Sequence, residues 1–565
     1  MEKKTVTGAE ALLISLINQG VDTMFGYPGG TIMPIYDMLY NYTDKLNHIL
    51  VRHEQGAVHA AQGYARATGK VGVCMATSGP GATNLITGIA DAMLDSTPIV
   101  CITAQVFTDK LGTSFFQEAD TISITIPVTK WNYQITEANE VADIMAKAFY
   151  VAKSGRPGPV LISFTRNAQT ELTNYLHRPY KPFKIRERSS YDENLGLIPN
   201  AANLINESKK PMIIVGQGVV LSNAEKESLG VAQKGNIPLV STLMGISAIP
   251  TNHPLFMGNV GMHGNLAPNR MTQESDLIIA VGMRFSDRVT GDTSKYAPKA
   301  KIIHIDIDKA EFNKNVKSDI QILGNAKEVL INLTPLLKQK KRESWFQFIE
   351  EQKCEEKQLI ADKYLAESEE TTISMAQVVN TIARVCEGNA VIVTDVGQHQ
   401  MFGARFSEFN HNRSFITSGG LGTMGFGLPA AIGAKHGVPD REVVVITGDG
   451  GFQMSIQELG TIMQTKVALK IVVLNNSFLG MVRQWQELFF DRRYSFTKMV
   501  NPSFVEIANA YKIPGLKIDK YNALEESVIE MIKHKGAFLL EVAVKSEENI
   551  FPMIPGGASL DNILY

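Results

Sequence analysis

Short apolar runs alternate with helical patterns along almost the whole chain. The clearest runs have the composition of strands and fall into three groups: VGVCMAT, PIVCITA and PVLISF, then PMIIVG, DLIIAVG and KIIHIDI, then AVIVTD, EVVVITG and LKIVVLNN. Apolar runs separated by helical patterns indicate parallel strands joined by crossover helices. The pattern therefore predicts an α/β protein with three doubly wound parallel sheets.

Two polar stretches separate the three groups of runs. Residues 174–192 contain proline and many charged residues, and residues 337–372 combine charges with good helix formers. The second composition favours a solvated connecting helix followed by a break. The predicted domains are residues 1–180, 190–345 and 365–565. Because the first and third domains share their order of strands and helices, we expect duplicated halves around a different middle domain.

Composition and charge narrow the class of protein. The 565 residues include 55 basic and 57 acidic ones, a net charge of −2, and 44% are hydrophobic. These values exclude intrinsic disorder and give no basic excess for nucleic acid. The four cysteines lie far apart, and the N-terminal stretch lacks the uninterrupted apolar core of a signal peptide. We expect a soluble cytoplasmic protein that binds neither nucleic acid nor membrane.

Two uncharged stretches, residues 71–90 and 414–434, reach the length of a membrane span. Both are rich in glycine, serine, threonine and proline. We therefore interpret them as loop-rich sites and not as spans.

The sharpest chemical pattern joins the ends of two predicted strands. One run ends in Gly-Asp-Gly-Gly at residues 448–451, and the next ends in Asn-Asn, so that 27 positions separate Asp449 from Asn476. This spacing suits a strand-helix-strand crossover, which returns both polar ends to one edge of a sheet. Carboxylate and amide oxygens suit Mg²⁺, and a main-chain carbonyl at Phe478 could add a ligand. Two unrelated turns remain the alternative for either half alone.

This GDG…NN pattern resembles the thiamine-diphosphate and Mg²⁺ motif of the thiamine-dependent decarboxylase superfamily. The resemblance implies two thiamine-binding domains around a central Rossmann-like FAD domain. Glu54 resembles the activating glutamate that pairs with ring N1′ of the aminopyrimidine, although an acidic residue that merely opens a helix is the alternative. The glycine-rich residues 418–429 resemble the pyrimidine-binding loop, in which the Gly422 carbonyl and the Met424 N–H hold the ring.

Further motifs resemble the catalytic subunits of the acetohydroxyacid synthase (biosynthetic acetolactate synthase) family. They follow in order through the chain at residues 25–30, 76–81, 116–120, 156–159, 284–291, 480–486 and 552–557. The resemblance implies that pyruvate is decarboxylated and condensed with a second pyruvate or with 2-ketobutyrate, the first common step of branched-chain amino-acid biosynthesis. It also implies a largely structural FAD, a homodimer or tetramer with sites between subunits, and a possible separate small regulatory subunit.

The same resemblance assigns residues to roles. The catalytic residues it implies are Glu54 at the pyrimidine ring, and Gln117 and the backbone N–H of Gly30 at the reacting carbon. The remaining contacts with thiamine diphosphate and its metal are Gly397, Gln398, His399, Gly422, Met424, Gly448, Asp449, Gly450, Gly451, Asn476 and Phe478. The FAD contacts are Arg156, Gly261, Met262, His263, Gly264, Arg284, Asp287, Arg288, Asp306 and Asn325. The substrate contacts are Phe116, Arg166, Met481, Val482 and Trp485.

Purely structural explanations and other functions remain as alternatives to these assignments. A surface ion-pair cluster would explain Arg284, Asp287 and Arg288, and a core stripe would explain the apolar positions around Trp485. The chain departs from the family pattern at four positions, Arg166, Ser286, Asn325 and Phe402. The rival functions are a flavin-free catabolic acetolactate synthase, a redox-active flavin pyruvate oxidase, and a nucleotide-binding scaffold without turnover.

Overall fold

Three parallel six-stranded sheets organise the computed structural model, which describes residues 4–182, 190–366 and 372–565. A short two-stranded antiparallel sheet pairs β1 (Lys4–Thr7) with β8 (Leu172–Tyr175). The strands of the first six-stranded sheet are β2 (Thr23–Gly26), β3 (Asn47–Leu50), β4 (Gly72–Ala76), β5 (Ile99–Gln105), β6 (Trp131–Ile135) and β7 (Pro159–Thr165). Those of the second are β9 (Pro211–Val215), β10 (Leu239–Ser241), β11 (Phe256–Asn259), β12 (Leu277–Val281), β13 (Lys301–Asp306) and β14 (Ile320–Leu323). Those of the third are β15 (Val391–Thr394), β16 (Phe415–Ile416), β17 (Val443–Gly448), β18 (Lys470–Asn475), β19 (Gly515–Ile518) and β20 (Phe538–Ala543).

Helices join the strands and cover the sheets, so the predicted α/β fold with three parallel sheets is confirmed. The first domain contains α1 (Gly8–Asn18), α2 (Met33–Leu39), α3 (Glu54–Thr68), α4 (Pro80–Thr83), α5 (Ile86–Leu94), α6 (Thr121–Thr125), α7 (Val141–Lys153) and α8 (Arg166–Thr170). The middle domain contains α9 (Ser190–Glu207), α10 (Gln217–Leu221), α11 (Glu225–Gly235), α12 (Leu266–Glu274), α13 (Asp287–Thr290), α14 (Ala326–Leu333) and α15 (Glu343–Ile360). The third contains α16 (Met375–Val385), α17 (Gln398–Phe406), α18 (Gly427–Gly437), α19 (Asp449–Met454), α20 (Leu459–Thr465), α21 (Gly480–Phe489), α22 (Phe504–Ala510) and α23 (Leu524–Lys533).

Strand order separates the middle domain from the other two. The first sheet runs β3-β2-β4-β5-β7-β6 and the third runs β16-β15-β17-β18-β20-β19, so both follow the order 2-1-3-4-6-5 when strands are counted within each sheet. The middle sheet runs β11-β10-β9-β12-β13-β14, which is 3-2-1-4-5-6, the order of dinucleotide-binding folds. The fold therefore has two similar halves around a Rossmann-like centre. The exact domain boundaries stay predictions.

The predicted solvated linker helix is partly wrong. The helix α15 is present, but Trp345 and Ile349 are buried against the middle domain, and the Trp345 indole donates to the Pro211 carbonyl at 2.9 Å. The apolar positions within this charged segment make one face a core face. Residues 183–189 of the first predicted linker and 367–371 of the second lie outside the described residues.

Helix α3 of the first domain packs directly on α18 of the third. A Cβ on Gly63 would overlap the carbonyl oxygen of Ala430, and a Cβ on Gly433 would overlap that of Ala60. Only glycine permits two helix backbones to approach this closely. The contact fixes Glu54, at the start of α3, relative to the loop that precedes α18.

In the described parts of the chain, no helix is long and apolar enough to cross a membrane.

Candidate active site

The metal motif lies at the carboxyl edge of the third sheet. Strands β17 and β18 pair in parallel with Gly448 beside Leu474, so Asp449 and Asn476 follow neighbouring strand ends. Asp449 is buried, and this burial raises the pKa of its carboxyl to about 6. Divalent cations favour the ionised carboxylate as a ligand, so metal binding would offset the free-energy cost of ionising this buried group. The donor set of Asp449, Asn476 and the Phe478 carbonyl fits Mg²⁺ in chemistry.

The neighbouring strand end provides the residues predicted for the diphosphate. Helix α17 begins at Gln398, and a Cβ on Gly448 would lie 2.9 Å from Nδ1 of His399. Burial lowers the pKa of His399 to about 3, so its imidazole is neutral, and its buried Nε2 has no hydrogen-bond partner within the described parts of the chain. Such an atom is costly unless a ligand satisfies it. A helix N-terminus beside an unpartnered imidazole nitrogen suits a phosphate group.

Three buried aspartates hold the glycine-rich loop. Asp395 accepts the backbone N–H groups of Gly425 at 3.0 Å and Gly427 at 2.9 Å. From the first domain, Asp95 accepts those of Gly419 at 2.9 Å and Gly420 at 2.7 Å.

The third of these carboxylates, Asp91, accepts the hydroxyls of Ser418 and Thr423. Gly422 has φ +72°, a left-handed conformation that favours glycine. The loop is therefore fixed from both domains before any ligand binds.

A cavity of about 890 Å³ lies between the middle domain and this loop. The predicted FAD residues line it except for Gly261, which is not among the lining residues. From the third domain, Gly397, Gly422, Met424, Met481, Val482 and Trp485 line the same cavity. Its volume is in the range of about 300–1,000 Å³ that ligand pockets occupy. The structure thus joins the predicted flavin site to the pyrimidine loop and the substrate wall.

The charged groups in this cavity differ in how they are engaged. The Arg284 side chain has no hydrogen-bond or ion-pair partner among the described residues, whereas that of Arg156 pairs with Glu311 at 2.8 Å. Asp287 and Arg288 form a loose exposed pair at 3.8 Å, which is the arrangement the surface-cluster alternative expects. The guanidinium of Arg284 therefore favours an anionic ligand such as a diphosphate in this cavity.

Three further residues of the predicted flavin set bear on the fit. His263 is buried, its Nε2 has no hydrogen-bond partner among residues 4–182, 190–366 and 372–565, and burial lowers its pKa to about 3. Asp306 lies at the end of β13, where burial raises its pKa to about 6. Asn325 caps α14 through a hydrogen bond from the Lys327 N–H at 3.0 Å. The unpartnered imidazole and the acidic residue at the strand end fit a dinucleotide.

Helix α21 presents its apolar side to the cavity. On the opposite side of the helix, Arg483 and Gln484 are buried. Val482 is 47% exposed, and Trp485 lines the cavity beside the Phe489 ring. The buried face of this helix is therefore the polar one, and the core-stripe alternative is wrong. An apolar wall next to Met424 can sort substrates by their apolar size.

The predicted reaction residues of the first domain gather around residues 77–84, a segment that contains the short helix α4. Asn84 donates to the Glu54 carboxylate at 3.0 Å, and the backbone of Gln117, which has φ +61°, packs against Gly79. Arg166 donates to the Gly30 carbonyl at 3.1 Å. The structure thus brings Glu54, Gln117, Gly30 and Arg166 to one side of the first domain.

This first-domain group does not meet the cavity within one chain. Neither Glu54 nor Gln117 lines it, and among the described residues no hydrogen bond joins them to Asp449, Asn476 or the loop. Phe116, predicted to contact substrate, is 81% exposed. Large apolar residues of the third domain are also exposed, with Phe496 at 99%. Each half of the predicted site therefore faces outward.

Sequence reasoning missed several residues that hold the site. Asp91 and Asp95 bind the loop, Asn501 binds the Asp449 carboxylate, and Glu458 binds the backbone just before Glu54. None of them stands in a motif with a spacing of its own. A buried acidic residue within an apolar helix, as in α5, was the one available indication.

Comparison with known proteins covers the same three domains. The chain matches the thiamine pyrophosphate enzyme models for the N-terminal TPP binding domain at residues 6–124, the central domain at 198–333 and the C-terminal TPP binding domain at 395–542. It is 44% identical to the probable acetolactate synthase large subunit of Methanocaldococcus jannaschii, over 99% of this chain and 95% of the relative. It is 42% identical to the acetolactate synthase large subunits of Corynebacterium glutamicum, over 99% and 90%, and Lactococcus lactis, over 100% and 96%.

Proposed function

Because the chain belongs to the acetolactate synthase large-subunit family of thiamine pyrophosphate enzymes, we propose that it decarboxylates pyruvate and joins the remaining two-carbon unit to a second 2-ketoacid. With pyruvate the product is 2-acetolactate, and with 2-ketobutyrate it is 2-aceto-2-hydroxybutyrate, both precursors of branched-chain amino acids. The observation that carries the proposal is the cavity that unites the glycine-rich loop, Trp485 and the Rossmann-like domain. A simple decarboxylase binds no second ketoacid and needs no apolar wall to select one.

When bound, thiamine diphosphate would supply an acidic C–H and a positively charged thiazolium ring that can take up the electron pair released by decarboxylation. In this chain, Glu54 would hold a proton on pyrimidine N1′, and the loop would hold the ring through the Gly422 carbonyl and the Met424 N–H. Asp95 and Asp395 keep that loop in place. Met424 and Trp485 exclude water from the reacting carbon. Gln117 and the Gly30 N–H would orient the ketoacid.

Two further groups complete the proposed set of cofactors. Mg²⁺ would be held by Asp449, Asn476 and the Phe478 carbonyl and would bind the diphosphate beside His399. FAD would occupy the 890 Å³ cavity, and support comes from the Arg284 side chain and the His263 Nε2, neither of which has a partner in the part of the chain that the structure describes. The flavin would be largely structural, because the reaction has no net redox change.

We propose that the working site forms between two chains in a homodimer or tetramer. Support comes from the two outward-facing halves, with Phe116 on the first domain and Phe496 on the third. Mixing an inactive Glu54→Gln chain with an inactive Asp449→Asn chain would then restore about a quarter of the activity, because half the dimers carry one intact site. No recovery would refute a shared site. The relatives are named large subunits, and we propose that this chain likewise binds a small subunit.

The product assay tests the reaction against its rivals. The purified protein, supplied with thiamine diphosphate, Mg²⁺ and FAD, is offered equal pyruvate and 2-ketobutyrate, and both acetohydroxyacids are measured. Formation of either product supports the proposal, whereas reduction of the flavin by pyruvate at the turnover rate would favour a pyruvate oxidase. Full activity without bound flavin would favour the catabolic synthase. No product with all cofactors bound would favour a scaffold.

A further inference from the structure

Asn501 lies beside the metal motif although it follows that motif by a long stretch of chain. The segment before it runs antiparallel to the residues after Asn476. The Leu479 N–H donates to the Thr497 carbonyl at 2.8 Å, and the Met499 N–H donates to the Ser477 carbonyl at 2.9 Å. These backbone bonds carry Asn501 back to the ends of β17 and β18.

The side chain of Asn501 uses both ends of its amide. Its Nδ2 donates to Asp449 Oδ2 at 2.6 Å and to Asn475 Oδ1 at 3.0 Å. Its Oδ1 accepts from Gln453 Nε2 at 3.0 Å. A carboxylate held at one oxygen by a donor of this kind has a fixed orientation.

The orientation of these amides is determined by a buried carboxylate. Glu541, which is fully buried and pairs with Lys517 at 3.0 Å, can only accept hydrogen bonds when ionised. It accepts from Asn475 Nδ2 at 2.9 Å, so Asn475 Oδ1 must turn toward Asn501. The Asn501 NH₂ then points to Asp449, and its oxygen points to Gln453.

We propose that Asn501 is a positioning residue that holds the Asp449 carboxylate for the divalent cation. The proposal rests on the metal site proposed above, to which it adds a residue outside the GDG…NN motif. Without Asn501 the Asp449 carboxylate could rotate. Fixing its orientation when the cation binds would then cost free energy and weaken metal binding. Partners of this kind typically change metal affinity by about 10–100-fold when they are removed.

Metal binding measured directly tests this role. Mn²⁺ replaces Mg²⁺, and free Mn²⁺ is followed by electron paramagnetic resonance at saturating thiamine diphosphate. We expect Asn501→Ala to raise the Mn²⁺ dissociation constant about 10–100-fold. At saturating Mg²⁺ its turnover should return to within about threefold of the parent, because affinity and not chemistry is affected. Gln453→Ala, which removes the donor to Asn501 Oδ1, should show a smaller change in the same direction.

Asn509→Ala is the matched control, since Asn509 is an exposed asparagine on the nearby helix α22. A change below twofold for Asn501→Ala, or an equal change for Asn509→Ala, would overturn the proposal. If Asn501→Ala does not fold, unchanged Mn²⁺ affinity in Gln453→Ala would overturn it instead. A parent protein that binds no Mn²⁺ and forms no product would refute the metal site itself, which is a distinguishable failure.

Discussion

Asp95 is one of two buried carboxylates of the first domain that hold the loop proposed to bind the pyrimidine. Asp95 is almost fully buried, pairs with Arg66 at 2.7 Å, and accepts the backbone N–H groups of Gly419 and Gly420. Asp95→Asn keeps the shape of the side chain but replaces one acceptor oxygen with a donor. At least one of the three donors then loses its partner. The substitution should therefore weaken both the fold and the loop.

The expected loss of stability follows from these contacts. A buried donor without a partner costs about 1–3 kcal/mol, and breaking a buried ion pair costs about 3–5 kcal/mol. Arg66 keeps its bonds to the Thr97 hydroxyl and the Thr417 carbonyl. These remaining bonds place the expected loss near the lower end, at about 3 kcal/mol. Affinity for thiamine diphosphate should fall as well, because the loop is no longer ordered in advance.

Urea unfolding and thiamine diphosphate titration, followed by tryptophan fluorescence, measure the two effects. Glu525→Gln is the control, because it breaks an ion pair with Arg384 in which both side chains are more than half exposed. Exposed pairs contribute little, so the control should unfold like the parent. The reasoning is refuted if Asp95→Asn unfolds with the control and binds the cofactor as the parent does.

Three further changes test other parts of the site. Glu54→Gln should lower acetolactate formation by about 10²–10⁴-fold, the usual size of a proton-transfer contribution, without lowering the melting temperature; retained activity would contradict its role. Chelation by EDTA should release thiamine diphosphate on a desalting column, and added Mg²⁺ should restore binding; retention without metal would contradict the metal site. Gly63→Ala should cost about 1–3 kcal/mol or more in urea unfolding, because its Cβ overlaps the Ala430 carbonyl, and parent-like stability would show that α3 and α18 can separate freely.

The α/β architecture and the position of the metal motif at the sheet edge could be predicted, because the sequence patterns that indicate them lie within short stretches of chain. Strand runs and crossovers repeat along the sequence, and the spacing from Asp449 to Asn476 implies neighbouring strand ends. The duplicated halves followed from the same order of elements, and the strand orders 2-1-3-4-6-5 and 3-2-1-4-5-6 agree with that expectation.

The residues that hold the site could not be predicted because their partners are distant in sequence. Asp95 binds Gly419 across 324 positions and Asn501 binds Asp449 across 52. A single aspartate or asparagine has no periodicity that would indicate such a partner. The apolar stripe of α21 was ambiguous for a related reason. Periodicity shows that a helix has two faces, but it does not show that the polar face, with Arg483, is the buried one.

The stoichiometry of the reaction tests the central claim most directly. The protein, loaded with thiamine diphosphate, Mg²⁺ and FAD, is given labelled pyruvate under anaerobic conditions. The amounts of pyruvate consumed, CO₂ released and 2-acetolactate formed are measured in the same sample. Carboligation predicts two molecules of pyruvate consumed and one of acetolactate formed for each CO₂ released. Equal amounts of pyruvate consumed and CO₂ released, without acetolactate, would contradict the account.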